Sequence, residues 1–425
     1  MKRSTLLAFA SAGAVLAVQP VASAQQNDAG FFQRDRYQAV NERYQEDFDP
    51  EPVRLGTFVA TPSLELGAES NDNVFADEAN EESDIIVRIM PTVDLRSDWS
   101  RHELGGRVQI EHNEYTDLDS ESATNARGEL RGRLDVSREV DFNGTVFATD
   151  EVEARRSVAN LDVFEEPVNF QTVGARTQAR WTRDRLRARA GYEVTDYSYD
   201  DVPLVGGGSA DNSERDYTFH RVRSRVSYAV SPDVALFGQV SATQRNYSEQ
   251  VLVDGTLENR DADGVSIEVG ANFELPQLIR GDVAIGYLED DKESDVFADI
   301  DGLSVEAEVQ WFPTRLTTVT FDAGRNVIDP GLATSGSATA TDFGVRVDHE
   351  LRRNVVLFAE GGLRTRDYED IDRDDDLTDL RLGATYKLNK RFHLDGYVAR
   401  YDRDSNNPQG EFEQNILGLA LRVFP

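Results

Sequence analysis

The feature that most constrains this chain is a unit that recurs nine times: an alternating strand, a turn of two or three residues, a second alternating strand and an acidic loop. Behind a secretory leader, that repeat is the signature of an antiparallel barrel that crosses a membrane with strands. Short turns read at Ser97 to Arg101, Ser137 to Glu139, Arg183 to Asp184, Ser231 to Asp233, Pro276 to Arg280, Pro313 to Thr314, Arg352 to Asn354 and Asn389 to Lys390. They are spaced roughly as two spanning strands of about 10 residues plus a long loop and a short turn require. With both chain ends on the turn side, they imply nine hairpins and about 18 strands, wide enough to leave an aqueous lumen.

The first residues read as a leader. Lys2 and Arg3 form its charged head, Leu6 to Val18 the apolar run, and Ala22-Ser23-Ala24 the cleavage site. Residues 1–24 are therefore expected to be removed, 25–55 to form a partly disordered periplasmic extension, and 56–425 to form the barrel. No other segment approaches the roughly 18 apolar residues of a membrane helix, so a membrane would have to be crossed by strands. With no cysteine, neither a disulfide framework nor a lipid on a leading Cys is expected, and the formal net charge of −33 argues against a nucleic-acid partner.

In a spanning strand every second side chain meets lipid and the intervening ones meet the lumen. Val265, Ile267, Val269, Ala271, Phe273 and Leu275 alternate with Ser266, Glu268, Gly270, Asn272 and Glu274. Leu186, Ala188, Ala190, Tyr192 and Val194 alternate with Arg185, Arg187, Arg189, Gly191 and Glu193. Trp99, Trp181 and Trp311 flank short turns, while Tyr115, Tyr197, Tyr199, Tyr217, Tyr247, Tyr368 and Tyr401 cluster near long loops, so two lipid-facing aromatic girdles are expected. A soluble propeller repeats at similar spacing but explains neither girdles nor an apolar exposed face. The reading is an all-β, transmembrane, up-and-down barrel in the outer membrane of a Gram-negative cell. In the last strand Leu417, Leu419, Leu421 and Val423 point outward, which puts Phe424 in the inward phase ahead of Pro425.

Arg54-Leu55-Gly56-Thr57-Phe58, Pro62-Ser63-Leu64-Glu65-Leu66-Gly67 and Asn71-Asp72-Asn73-Val74-Phe75 resemble the opening of a family of outer-membrane β-barrel porins. Leu95-Arg96-Ser97-Asp98-Trp99-Ser100-Arg101-His102 is similar to that family's first turn. These motifs cover about the first two strands; beyond them the resemblance rests on length, strand count and acidic loops. It implies an 18-stranded barrel. Some members are associated with exopolysaccharide or capsule export, carrying polymer across the outer membrane with a periplasmic export partner, and others have no assigned role.

Inward positions before Ser231 are rich in arginine: Arg127, Arg131, Arg133, Arg176, Arg180, Arg185, Arg187, Arg189, Arg221, Arg223 and Arg225. Inward positions after it carry Glu268, Glu274, Asp282, Glu306 and Glu308. Stacked across strands, these are expected to form a basic wall and an acidic one, a transverse field suited to a sliding anionic polymer. The plainer alternative is that lumen charges pair and solvate the wall. The loops Asp72 to Asp84, Glu289 to Asp301 and Glu369 to Asp379 are expected outside, beside lipopolysaccharide. Their carboxylates, Asp370, Asp372, Asp374, Asp375 and Asp376 among them, lack calcium-loop spacing, and Asp261-Ala262-Asp263-Gly264 is only a fragment of one, so no metal or cofactor is expected.

The histidines His102, His112, His220, His349 and His393 stand beside no nucleophile motif, and no enzyme is expected. Polysaccharide export leads the functional readings, with a diffusion porin second and a structural or surface-interaction barrel third. The longest loops, about 15 residues by the usual spacing of such barrels, speak against one folded into the lumen and so slightly favour export.

Overall fold

The computed structural model describes residues 37–159, 163–276, 278–407 and 410–425; the leader and residues 25–36 lie outside them. Among the described residues eighteen long antiparallel strands pair in chain order, with the three-residue strand Val53–Leu55 folded back on the first: β1 Phe58–Asn71, β2 Asp84–Ser97, β3 Glu103–Tyr115, β4 Ala123–Asp135, β5 Val140–Val152 and β6 Asn169–Arg183. Then come β7 Leu186–Tyr199, β8 Tyr217–Ala229, β9 Val234–Tyr247, β10 Ala262–Leu275, β11 Ile279–Lys292 and β12 Ile300–Thr314. The circuit ends with β13 Thr317–Ile328, β14 Ala338–Arg352, β15 Val355–Tyr368, β16 Arg373–Asn389, β17 Phe392–Ser405 and β18 Phe412–Val423. β18 closes on β1, with Leu64 opposite Val423 and Asn71 opposite Ile416. Closure leaves no unpaired edge, which a bilayer would not tolerate.

Each of the eight short turns falls at or within two residues of the position read from the sequence. One of the two-residue turns, between β6 and β7, places Asp184 at φ 52°, a left-handed conformation that a short polar side chain tolerates. The alternation sets the faces as expected. Val265, Ile267, Val269, Leu417 and Leu419 are exposed to the surroundings, while Glu268 on the opposite face is buried. At the turn end Trp99, Phe142, Tyr228, Trp311, Tyr386 and Phe392 face outward as one aromatic girdle.

The second girdle is corrected. All seven tyrosines near the long loops share the phase of the inward residues, and Tyr199, Tyr217 and Tyr368 are buried. Tyr197 stacks on Tyr217 at 4.5 Å, and Tyr217 meets Tyr247 at 5.3 Å across three neighbouring strands. Position along a strand indicates height in the membrane, but only parity indicates the face.

Two acidic loops are shorter than expected. β11 runs on through Glu289 to Lys292, and β16 begins at Arg373, so Asp374, Asp375, Asp376 and Asp379 lie in a strand. Asp375 turns inward to Arg373, Ser405 and Tyr368, and that pairing lets the acidic run extend as strand. Phe424 also faces inward, edge-on to His393 at 4.9 Å.

Inward aromatics lie flat on the wall where the facing strand carries glycine. Phe147 covers Gly174 and Phe237 covers Gly270, so closely that a Cβ at either glycine would sit 2.3 Å from the ring. Phe358 over Gly383 and Tyr397 over Gly418 repeat the joint. An arginine then covers each ring: Arg176 on Phe147, Arg225 on Phe237, Arg346 on Phe358 and Arg381 on Tyr397. Rings laid flat keep bulk out of the lumen, and the cation over each face adds attraction.

Candidate functional site

The lumen wall carries the charges. Ten of the eleven arginines singled out from the sequence sit on inward positions of β4, β6, β7 and β8. Arg185 is the exception and is corrected: it lies in the β6–β7 turn, exposed, because β7 begins at Leu186, one residue later than its alternation suggests. Glu268, Glu274, Asp282, Glu306 and Glu308 take inward positions on β10, β11 and β12.

The two sets interlock. Arg223 pairs with Glu306 at 3.4 Å and Arg225 with Asp282 at 2.9 Å, across the intervening strands. Arg176 and Arg221 share Glu193, Arg180 pairs with Asp141, and Arg127 with Glu151. Arg131 and Arg133 pair along their own strand with Glu129 and Asp135. Glu268 accepts hydrogen bonds from Gln239 and Ser304. The far side of the lumen repeats the pattern with arginines outside the expected wall: Arg364 on Asp379, Arg366 on Asp342 and Arg422 on Glu65. Ion pairs therefore run around the lumen, and they join the basic set to the acidic one. One region departs from balance. The inward faces of β6, β7 and β8 carry Arg176, Arg180, Arg187, Arg189, Arg221, Arg223 and Arg225 against Glu193 alone.

At the loop end the mouth is crossed. Residues 153–159 and 163–168 of the connection from β5 to β6 turn over the lumen. Arg155 donates to Glu121 at 2.6 Å and to the Phe164 carbonyl at 3.1 Å, and all but disappears from the surface. The Arg156 guanidinium lies 3.9 Å over Tyr401 on β17, and its carbonyl accepts from Arg403. Ala159 packs against Gly331 of the β13–β14 connection, diametrically opposite β5.

Neighbouring connections brace it. Arg215, between β7 and β8, donates twice to Glu153 at 2.9 and 3.1 Å. Burial by itself would lower the Arg215 guanidinium, but the Glu153 carboxylate outweighs it and holds it above its ordinary value. Arg260 donates to the carbonyls of Leu332 and Glu214 at 3.0 and 2.5 Å. A small apolar core of Phe164, Val168, Phe170, Tyr199 and Val202 seals the base. Of these residues only Tyr199 was singled out from the sequence, and for a lipid-facing girdle. The Arg155-Arg156 pair inside a long acidic connection was the available signal, since buried arginines need carboxylate partners.

The turn end is lined as well. Residues 37–51, part of the extension expected to be partly disordered, run along the inner wall from β11 to β17. Tyr37 stacks on Phe312 at 5.3 Å, and the Val40 amide donates to Thr318 at 3.0 Å. Arg280 holds Glu42, Arg43 holds Glu350, Lys387 holds Asp49 and Lys390 holds Glu51. The Phe48 carbonyl meets the His393 ring at 2.9 Å. A segment without alternation cannot join a sheet, yet its mixed charges and Tyr37, Ala39 and Val40 match what the wall offers.

The sequence matches the family model described as putative beta-barrel porin 2 over residues 46–424. The chain belongs to that porin family. Its place is accordingly the outer membrane of a Gram-negative cell. Solved structures similar to this porin include OpdL of Pseudomonas aeruginosa, at 11% identity and TM-score 0.43, covering 87% of this chain and 99% of that one. The copper transporter OprC matches at 12% and 0.48, covering 88% and 82%. A BenF-like porin from Pseudomonas fluorescens Pf-5 matches at 12% and 0.44, covering 86% and 99%. No curated protein matches this porin in sequence.

Proposed function

We propose that this porin is a passive diffusion channel for small hydrophilic solutes, delivered to the outer membrane after cleavage of its leader at about Ala24. The observation that carries the reading is the 153–168 connection seated across the mouth, fixed at Glu121, Tyr401 and Gly331. A polymer exporter needs a clear path for a chain of indefinite length. A bridge tied by buried ion pairs would have to be displaced for each polymer, and breaking one partner of such a pair costs about 3 to 5 kcal/mol. A small solute needs only the gaps beside the bridge. The expectation that these connections are too short to fold inward fails because a chord across the mouth can be anchored partway by the neighbouring connections.

The reading involves no covalent chemistry: the lumen offers paired charge and flat aromatic rings, which solvate and orient a solute without reacting. Liposome swelling tests it. Vesicles carrying the purified barrel should admit mono- and disaccharides and small organic acids and exclude dextrans. Equal entry of dextrans, or loss of surface polysaccharide from cells lacking the chain, would return the assignment to polymer export.

A further inference from the structure

We infer that the lumen wall at Gly191 is a binding site for one compact oxyanion, the carboxylate or phosphate group of a passing solute. The inference deepens the diffusion-channel reading and rests on it. Arg180, Arg189 and Arg225 are direct cross-strand partners on β6, β7 and β8, three guanidinium groups abreast at one height. Like charges directly opposite one another in a sheet repel, so such a row costs stability unless anions offset it.

The outer two members of the row meet carboxylates, and Arg189 too is engaged. Asp141 takes Arg180 at 2.8 Å, and Asp282 with Gln239 takes Arg225 at 2.9 and 2.6 Å. Arg189 stands between them, and the next inward residue on its strand is Gly191, whose cross-strand partners are Gln178 and Arg223. A Cβ built at Gly191 would meet the Thr177 carbonyl oxygen at 3.1 Å and, beyond it, the Gln178 side chain at 3.9 Å. The position is therefore a notch in the wall with strand backbone as its floor.

Around the notch stand donors: Arg189 on one side along the strand, and to left and right the Gln178 amide and Arg223, which also reaches Glu306 at 3.4 Å. On the fourth side is Glu193, already engaged by Arg176 at 2.8 Å and Arg221 at 3.6 Å, so its charge is met before a ligand arrives. Forked guanidinium groups converging on a small concavity suit an oxyanion that accepts two parallel bonds at once. Carboxylate and phosphate share that chemistry. The place lies on the lumen face, so a solute would pause there in transit rather than be held.

Planar-bilayer recording of the full chain tests the site, with chloride carrying the current and inorganic phosphate or succinate added as blocker. In the wild type the current should fall along a saturable curve with at least one of the two, and the tighter blocker names the source of the oxyanion. Gly191→Glu places a carboxylate in the notch and should raise the half-blocking concentration about tenfold or more, as should Arg189→Gln. Arg364→Gln, on the far side of the lumen, should leave it unchanged. Half-blocking concentrations equal to wild type in both site variants, or moved as far by Arg364→Gln, would overturn the site in favour of a diffuse field.

If the folded barrel passes no current at all, the diffusion-channel reading fails instead. Calorimetric titration of the detergent-solubilised barrel with phosphate and succinate then decides the site alone. Heat that is lost in Gly191→Glu keeps it, and no heat with either probe removes it.

Discussion

Glu153 and Arg215 meet with side chains 1% and 4% exposed, where a lone charge would have little water to solvate it. Removing one member leaves the other stranded, so Glu153→Gln should free the 153–168 bridge at a cost of about 3 to 5 kcal/mol to its attachment. Single-channel conductance should rise, and limited proteolysis should newly cut within the connection while the strands stay protected. Adding Arg215→Gln should recover part of that loss, because the second change removes the stranded charge. The same principle explains what was legible residue by residue. Parity along the strands identified ten lumen arginines, but their counter-ions come from strands up to four places away, as with Arg223 and Glu306, and no spacing in the chain expresses that.

Among the elements, the strands announce themselves because a bilayer enforces one pattern on all of them, and the eight short turns follow. The two elements that narrow the lumen have no periodicity, being held from outside by partners distant in sequence. The 37–51 strap is the clearer case. Its outer hook, Glu51 on Lys390, is a hydrogen-bonded pair that lowers the Glu51 carboxyl below its ordinary value and raises the Lys390 ammonium above its own. A lowered carboxyl contributes attachment that is complete above its ordinary range and lost as pH falls through its shifted value. The raised ammonium contributes attachment complete below its ordinary range and lost as pH rises through its shifted one. The hook should therefore hold at neutral pH and release on acidification below about pH 4. Because the chain has no cysteine, a spin label on Tyr44→Cys would report on the strap alone; its mobility should rise in acid. In Lys390→Met that acid step should shrink, the mobility starting higher at neutral pH. A second element-scale test concerns the flat rings: Gly270→Ala puts a methyl into the space of Phe237 and should destabilise the barrel by about 1 to 3 kcal/mol, read as a lower temperature of heat-modifiability on gels.

For the molecule as a whole, the bridge and the strap sit at opposite ends of one lumen, the bridge among the long connections and the strap among the short turns. Ions crossing the barrel must pass both, so the two obstacles act as resistances in series with the lumen between them. Deleting residues 37–51 removes one resistance, and replacing residues 154–159 by a short glycine-serine link removes the other. The sites share no residue and lie a membrane's thickness apart, so their effects on resistance should add. Conductance is the reciprocal of resistance, and it should therefore rise by more in the double variant than the sum of the two single rises. Neither change touches the lipid-facing positions or the closure of β18 on β1, so all three variants should stay folded and heat-modifiable. Reversal potentials in a salt gradient separate the contributions further, since the arginine-rich face of β6 to β8 lies between the obstacles and should keep its sign of selectivity throughout. A double variant whose conductance rises no more than that of the better single one would mean that one end alone limits flow. The strap would then be a lining of the wall, and the mouth alone would set what passes.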